Sequence, residues 1–240
     1  EETASRLEAE RSIHYVLGLE RWFTSEIFGR FETYYKDFSN LIVQQRLTGY
    51  RYEFYPNDPN NRDPVYLRDP DNWTRSNTKL PYDSLTSIPI NGAKGRAYGF
   101  ELYLEKKAMN PDSKFSGWIS YSLSFANRDR DGIITPFRYD QRHSLNIVAN
   151  YKLLSWLDIG ARFNYSSNFP INIPIGVKPR VVGDSLAVLP VLNLVQFDFD
   201  FGDRSNLFAS KKPDYHRLDI RATAYTKFWG IDWGFYLDVI

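Results

Sequence analysis

Cysteine is absent from this 240-residue chain, methionine occurs once and histidine three times. The lack of cysteine excludes a disulfide framework, a thiolate-held zinc or iron–sulfur site and a thiol nucleophile. An excess of one charge is missing too. Thirty Lys plus Arg against 29 Asp plus Glu leave +1, so no overall basic field argues for nucleic acid or an anionic surface. Long apolar runs are also lacking: the best, around Ala187 to Val195, is interrupted by Pro190 and Asn193 and falls far short of the roughly 18 residues of a membrane helix. Rings, by contrast, are plentiful. The chain holds 17 Tyr, 17 Phe and 6 Trp, yet its mean hydropathy is a hydrophilic -0.47.

Period-two patterning organises these rings. From Arg96 to Lys107, Tyr98, Phe100, Leu102 and Leu104 occupy even positions, and Ala97, Gly99, Glu101, Tyr103 and Glu105 occupy odd ones. His143 to Leu153 repeats this with Leu145, Ile147, Ala149, Tyr151 and Leu153 against Ser144, Asn146, Asn150 and Lys152, Val148 being the mismatch. Tyr215 to Phe228 sets Leu218, Ile220, Ala222, Ala224 and Phe228 against Arg217, Asp219, Arg221, Thr223, Tyr225 and Lys227. Ile13 to Phe23, Phe28 to Phe38, Gly117 to Arg128, Leu157 to Ser166 and Trp233 to Ile240 pass the same test, for about eight strands in all. Several reach about 10 to 14 residues, twice the common length. The only helical candidate is the charged opening, Glu1 to Arg11, where Leu7 stands almost alone.

Connections alternate as well. Short links at Thr24 to Ile27, Met109 to Lys114, Leu154 to Trp156 and Trp229 to Ile231 separate long ones at Arg46 to Gly95, Asp129 to Arg142 and Pro170 to Asp214. In an up-and-down sheet this places tight turns at one end and long loops at the other, as in transmembrane β-barrels. A strand crosses the hydrocarbon in about 9 to 11 tilted residues, and a closed barrel leaves no backbone group unpaired in lipid. The apolar face then meets lipid, and the face with Arg217, Asp219, Arg221, Glu101 and Glu105 meets a polar lumen. Tyr15, Phe23, Tyr35, Phe38, Trp118, Phe125, Tyr165, Phe228 and Trp233 are the expected aromatic girdle. A soluble antiparallel sandwich is the alternative, since it too alternates, but it does not order the loop lengths.

Six segments resemble, in family order, the C-terminal part of the β-barrel of TonB-dependent outer-membrane receptors. Glu8 to Glu20 (EAERSIHYVLGLE) is similar to a descending strand of that family and Phe31 to Ile42 (FETYYKDFSNLI) to the ascending strand after it. Lys94 to Leu104 (KGRAYGFELYL) resembles its Ala-x-Gly-x-Glu strand, and Pro136 to Asn150 (PFRYDQRHSLNIVAN) a recurrent loop-to-strand passage. Pro213 to Arg221 (PDYHRLDIR) and Phe235 to Ile240 (FYLDVI) match the last segments. The resemblance implies an all-β fold: an antiparallel up-and-down transmembrane barrel segment, about eight strands of a barrel of about 22 that encloses an N-terminal plug. Residues 1–240 are expected to be the C-terminal part of that barrel, without the plug or the closing strand. No signal peptide is expected at Glu1 and Glu2, and Ile240 stops where the family normally continues. The implied function is energy-coupled uptake of a scarce nutrient such as a siderophore–iron complex, cobalamin, an oligosaccharide or a peptide. Implied partners are outer-membrane lipid, the chain's own plug, the TonB complex through that plug, and a small nutrient ligand, with no nucleic acid; implied location is the bacterial outer membrane. A self-contained small outer-membrane barrel with adhesive or binding loops is the other membrane reading, and a carbohydrate-binding sandwich is the soluble one.

Little in the chain points to chemistry. No Gly-x-Ser-x-Gly elbow, phosphate loop or dinucleotide fingerprint occurs, no acid/base signature stands out, and neither a catalytic residue nor a cofactor is expected. Asn127, Asp129, Asp131 and Gly132 copy half of a calcium loop, but position twelve is Arg138 instead of a bidentate Glu, which favours a solvated turn. Asp198, Asp200 and Asp203, interleaved with Phe197, Phe199 and Phe201, place carboxylates and rings on opposite faces of a strand, a cation or sugar surface or an extension of the wall. His14, His143 and His216 lack metal-ligand spacing, so no metal site is expected. His143 and His216 begin strands just below long loops, where a ligand could meet them, although hydrogen bonding at the rim is the favoured reading. Tyr52, Tyr55 and Trp73 in the first long loop, and Tyr139, Arg142 and His143 at the entry to the fifth strand, are with His216 the candidate ligand contacts, and the loop rings suit packing of the loop against its neighbours equally well.

Overall fold

The computed structural model describes residues 7–110 and 112–240. Most of the charged opening, Glu1 to Arg6, and Pro111 within the Met109–Lys114 link lie outside the described residues. Eight long strands carry the architecture: β1 (Arg11–Trp22), β2 (Ile27–Arg51), β3 (Leu80–Lys106), β4 (Phe115–Arg130), β5 (His143–Leu154), β6 (Leu157–Ser166), β7 (Tyr215–Phe228) and β8 (Ile231–Val239). They form one sheet in which each strand pairs with its neighbour in the chain, β1 through β8, and the short Ile133–Pro136 adds to β4. By contacts the chain divides into two units. One contains residues 11–39, 94–171 and 208–240; the other contains residues 1–10, 40–93 and 172–207.

In the first unit the register gives the sheet two unlike faces. Ile119 pairs with Ile147, Ile147 with Phe163 and Phe163 with Leu218, so an apolar row crosses β4 to β7. One residue along, Ser120 pairs with Asn146, Asn146 with Asn164 and Asn164 with Arg217, and that polar row occupies the opposite face. β8 continues the arrangement, Leu237 facing Ala222 and Asp238 facing Arg221. Among the described residues nothing covers the apolar face: Leu17 is 60% exposed, Leu218 52% and Leu237 69%. Among the described residues the buried apolar side chains are Val43, Ala93 and Val195, all in the other unit. A sandwich would bury this face against a second sheet, so the soluble alternative fails here.

Two expected girdle positions are corrected by the register. Trp118 pairs with Val148, in line with Ser116 and Ser120, and its ring meets Tyr103 of the Glu101–Glu105 side, which puts it on the polar face. Phe38 pairs with Ser12 and touches His14, also on that face. With Trp22, Phe28 and Tyr103 they show that rings serve the polar wall too, joined by cations such as Arg30, 5.8 Å from the Tyr103 ring. Tyr15, Phe23, Tyr35, Phe125, Tyr165, Phe228 and Trp233 keep the apolar parity.

Turns explain the alternating links. Between β1 and β2, Thr24 Oγ1 accepts from the backbone N–H groups of Glu26 and Ile27. β7 and β8 are joined by Trp229 and Gly230, both at positive φ, 52 and 76 degrees, the paired left-handed geometry of a two-residue hairpin. Asp131 and Gly132, at 57 and 77 degrees, make the same turn between β4 and Ile133–Pro136.

The long connections are more structured than the sequence predicts. β2 and β3 run to 25 and 27 residues and take in both ends of the expected Arg46–Gly95 loop. In the second unit these extensions carry cross-links from Thr86 Oγ1 to the Gln45 carbonyl and from Thr48 Oγ1 to Asp83. Alternation is lost there because a strand with water on both faces needs no apolar side, so Pro81, Pro89 and the Asx residues read as loop although the pairing persists. Between the extensions lie the paired strands Phe54–Pro56 and Trp73–Arg75 and one helical turn, Pro64–Arg68, capped by Asp63. The expected Asp129–Arg142 loop begins inside β4 and holds the Ile133–Pro136 hairpin. The expected Pro170–Asp214 loop is broken up by short ladders, among them Gly176–Pro179 with Phe197–Asp200.

Candidate functional site

The polar face of β4 to β8 carries a candidate site in the first unit. Alternate residues of adjacent strands bring Ser144, Asn146, Arg162, Asn164 and Arg217 around a recess of about 460 Å3, with Gln141 at its edge. Asn164 Nδ2 donates to Asn146 Oδ1, and Arg217 Nε donates to Asp219 at 2.7 Å. Further along the same face Arg221 donates from Nε and Nη2 to the two oxygens of Asp238, at 2.6 and 2.8 Å. Arg162, opposite Asp219 in register, forms no ion pair among the described residues. A free guanidinium among amides and hydroxyls suits an anionic or hydroxyl-rich solute. Arg162 and Asn164 were not singled out from the sequence, whereas Ser144, Asn146, Arg217, Asp219 and Arg221 were read there as polar-face residues.

The expected ligand contacts separate into two groups. In the second unit Tyr52 lies beneath two cations, Arg75 at 4.3 Å and Lys79 at 5.4 Å from its ring, and Lys79 is tied to Asp184 at 2.8 Å. Trp73 donates Nε1–H to the Leu67 carbonyl and its ring packs 5.9 Å from Phe197, so it braces the loop. Tyr55, across from Thr74, is 53% exposed and available to a partner. Asp198 and Asp200 are occupied by Arg180 at 2.6 Å and Lys178 at 3.4 Å. The Arg180 guanidinium holds the Asp198 carboxyl below the usual carboxylate range, against partial burial, which opposes it.

The other group belongs to the first unit. Tyr139 is exposed, with the Arg138 guanidinium 4.7 Å from its ring and Phe137 and Phe169 edge-on to it. Arg142 donates Nε to the buried Asp140 at 3.3 Å and lies 5.1 Å from the Phe125 ring. His143 shares a hydrogen bond of 2.9 Å with the Tyr121 hydroxyl, and His216 pairs with Tyr165. By parity both histidines stand on the apolar face, opposite Arg217 and Asn146, because the residue next to each in the polar row is Ser144 or Arg217. The Asp129–Gly132 segment is a hairpin turn, Gly132 N–H donating to Asp129 Oδ1. Among the described residues no group of three His, Cys, Asp or Glu could hold a metal ion.

The family described as "TonB dependent receptor-like, beta-barrel" matches residues 2–239. No curated protein matches the chain. Among solved structures the chain is similar to the siderophore receptor PirA from Acinetobacter baumannii, with TM-score 0.46, 12% identity, and coverage of 90% of this chain and 25% of that one. It is also similar to the outer membrane transporter YddB from Escherichia coli, with TM-score 0.45, 11% identity, and coverage of 91% and 26%. The chain thus spans about a quarter of the length of those two proteins.

Proposed function

Because the chain belongs to the TonB-dependent receptor-like β-barrel family, matched over residues 2–239, we propose that it forms part of the wall and outer loops of an outer-membrane receptor for energy-coupled nutrient uptake. The single observation that carries this is the two-faced sheet: one face uncovered and apolar, the other lined by Arg162, Arg217, Asp219, Arg221 and Asp238. Such a sheet is stable where lipid covers the first face and a polar lumen meets the second. The sheet is open among the described residues, and the barrel we propose it belongs to has the family's architecture of about 22 strands. Ligand capture is assigned to the loops and to a plug, and inward release to TonB acting on that plug. The wall contributes the recess at Arg162, where an anionic or hydroxyl-rich part of the nutrient would pass. Its role is binding and passage, not catalysis.

The gene around this segment provides the test. A coding region that continues upstream into a plug domain preceded by a secretion signal is the expected result. A secretion signal immediately before Glu1, or a monodisperse product purified without detergent, would overturn the reading.

A further inference from the structure

The apolar face does not end alike at its two rims. At the short-turn end it carries Phe23, Tyr151, Phe228 and Trp233, with Arg21 and with Lys106 held by Glu26 at 2.9 Å. At the long-loop end, Tyr98 on β3 stacks on Phe125 on β4, ring centroids 5.3 Å apart. Two arginines flank that pair. Arg96 stands two residues from Tyr98 on the same face of β3; its side chain is 69% exposed, and it reaches Asp37 only at 3.9 Å. Arg142 lies over Phe125 and uses only Nε for Asp140, leaving both Nη groups without a hydrogen-bond partner among the described residues. Asp214 accepts from the Tyr165 hydroxyl at 2.6 Å. Lys211 and His143 lie within electrostatic range of Asp214.

We infer that this rim is a binding site for the phosphate of a lipid headgroup, held by Arg96 and Arg142 while Tyr98 and Phe125 meet the acyl chains below. The inference rests on the membrane-wall reading above. Its independent support is charge complementarity: two incompletely paired guanidiniums stand where an apolar, ring-edged face gives way to polar loops, the depth at which a lipid phosphate lies. Guanidinium is the group best matched to bidentate phosphate contact, and the Phe125 ring gives Arg142 a fixed floor. His143 and Tyr121, hydrogen-bonded to each other on the same face, continue the rim beside them.

The test uses the whole receptor, this segment together with the rest of its barrel and plug, in nanodiscs of phosphatidylcholine, with or without phosphatidic acid, and reads the lipid retained after extraction by native mass spectrometry. The expected result is preferential retention of phosphatidic acid. Arg96→Gln should weaken it about fivefold, and Arg96→Gln with Arg142→Gln about thirtyfold, from the usual contribution of one basic residue near a charged membrane surface. Arg142→Gln strands the buried Asp140, so Arg96→Gln alone keeps the inference testable if the double variant fails to fold. Arg21→Gln, on the same face at the other rim, should change nothing. Equal retention by wild type and Arg96→Gln, an equal loss with Arg21→Gln, or displacement by inorganic phosphate alone would overturn the lipid site. Insertion into both bilayers without preference would overturn this inference and leave the membrane wall standing; failure to insert into either would overturn both.

Discussion

Ile220 and Arg221 are adjacent in the chain, yet they meet different surroundings: Ile220 pairs with Ala161 and Val239 on the apolar face, Arg221 with Gly160 and Asp238 on the polar one. A charge placed at Ile220 would face hydrocarbon, so Ile220→Arg should cost about 2 to 4 kcal/mol in urea unfolding of the bilayer-inserted chain. A loss no larger than that of Arg221→Ala would sink the facing assignment. Trp233 and Trp118 divide in the same way. In variants that keep one tryptophan, brominated lipids should quench Trp233 and leave Trp118 bright; equal quenching would put both on one face. At Asp198 the prediction concerns pH. Its carboxyl is held low by Arg180, so the pair stabilises its hairpin above the ordinary carboxylate pKa of about 4, and this is lost as pH falls through the lower folded value. The pair is half-exposed, so the effect is small and weakens with salt. A carboxyl-carbon NMR titration of Asp198 should show a midpoint that rises in Arg180→Gln; an unchanged midpoint would refute the pairing.

Strands β4 and β5 approach so closely at Gly117 that a Cβ there would lie 2.3 Å from the Val148 carbonyl oxygen. Backbone atoms cannot yield as a side chain can, so Gly117→Val should cost about 3 kcal/mol and shift the urea midpoint of the whole sheet. Gly132 is a different case. A Cβ there meets no atom within 4 Å, but φ is +77 degrees, so Gly132→Ala should cost only the left-handed strain of about 1 to 2 kcal/mol and act locally. Element type and order were legible wherever one face is apolar: β1 and β4 to β8 lie close to their period-two segments. The upper parts of β2 and β3 were not, because pairing in water leaves no parity signal. Asp131–Gly132 was legible as a turn, since this dipeptide suits two consecutive left-handed residues.

Over the whole molecule the recurrent fact is a sheet with scarcely any interior. Its apolar residues are exposed along one face, and among the described residues the buried hydrophobic ones, Val43, Ala93 and Val195, lie in the other unit. Parity in the sequence determined this much: long strands, one apolar and one charged face, and loops of alternating length, because side chains on a pleated strand must alternate and lipid demands one apolar side. The six family-like segments determined the family. Tertiary structure alone decided which positions meet. Arg162, Asn146 and Asn164 come from two strands and form one recess only through the β5–β6 register. His143 and His216, read from the sequence as rim residues that hydrogen-bond or meet a ligand, fall on the apolar face because a single residue of register separates them from the polar rows at Ser144 and Arg217. Trp118 turned to the polar wall for the same reason. A sequence specifies the alternation of each strand, but cross-strand pairing decides whose neighbour each side chain becomes, and backbone hydrogen bonds between distant segments set that pairing.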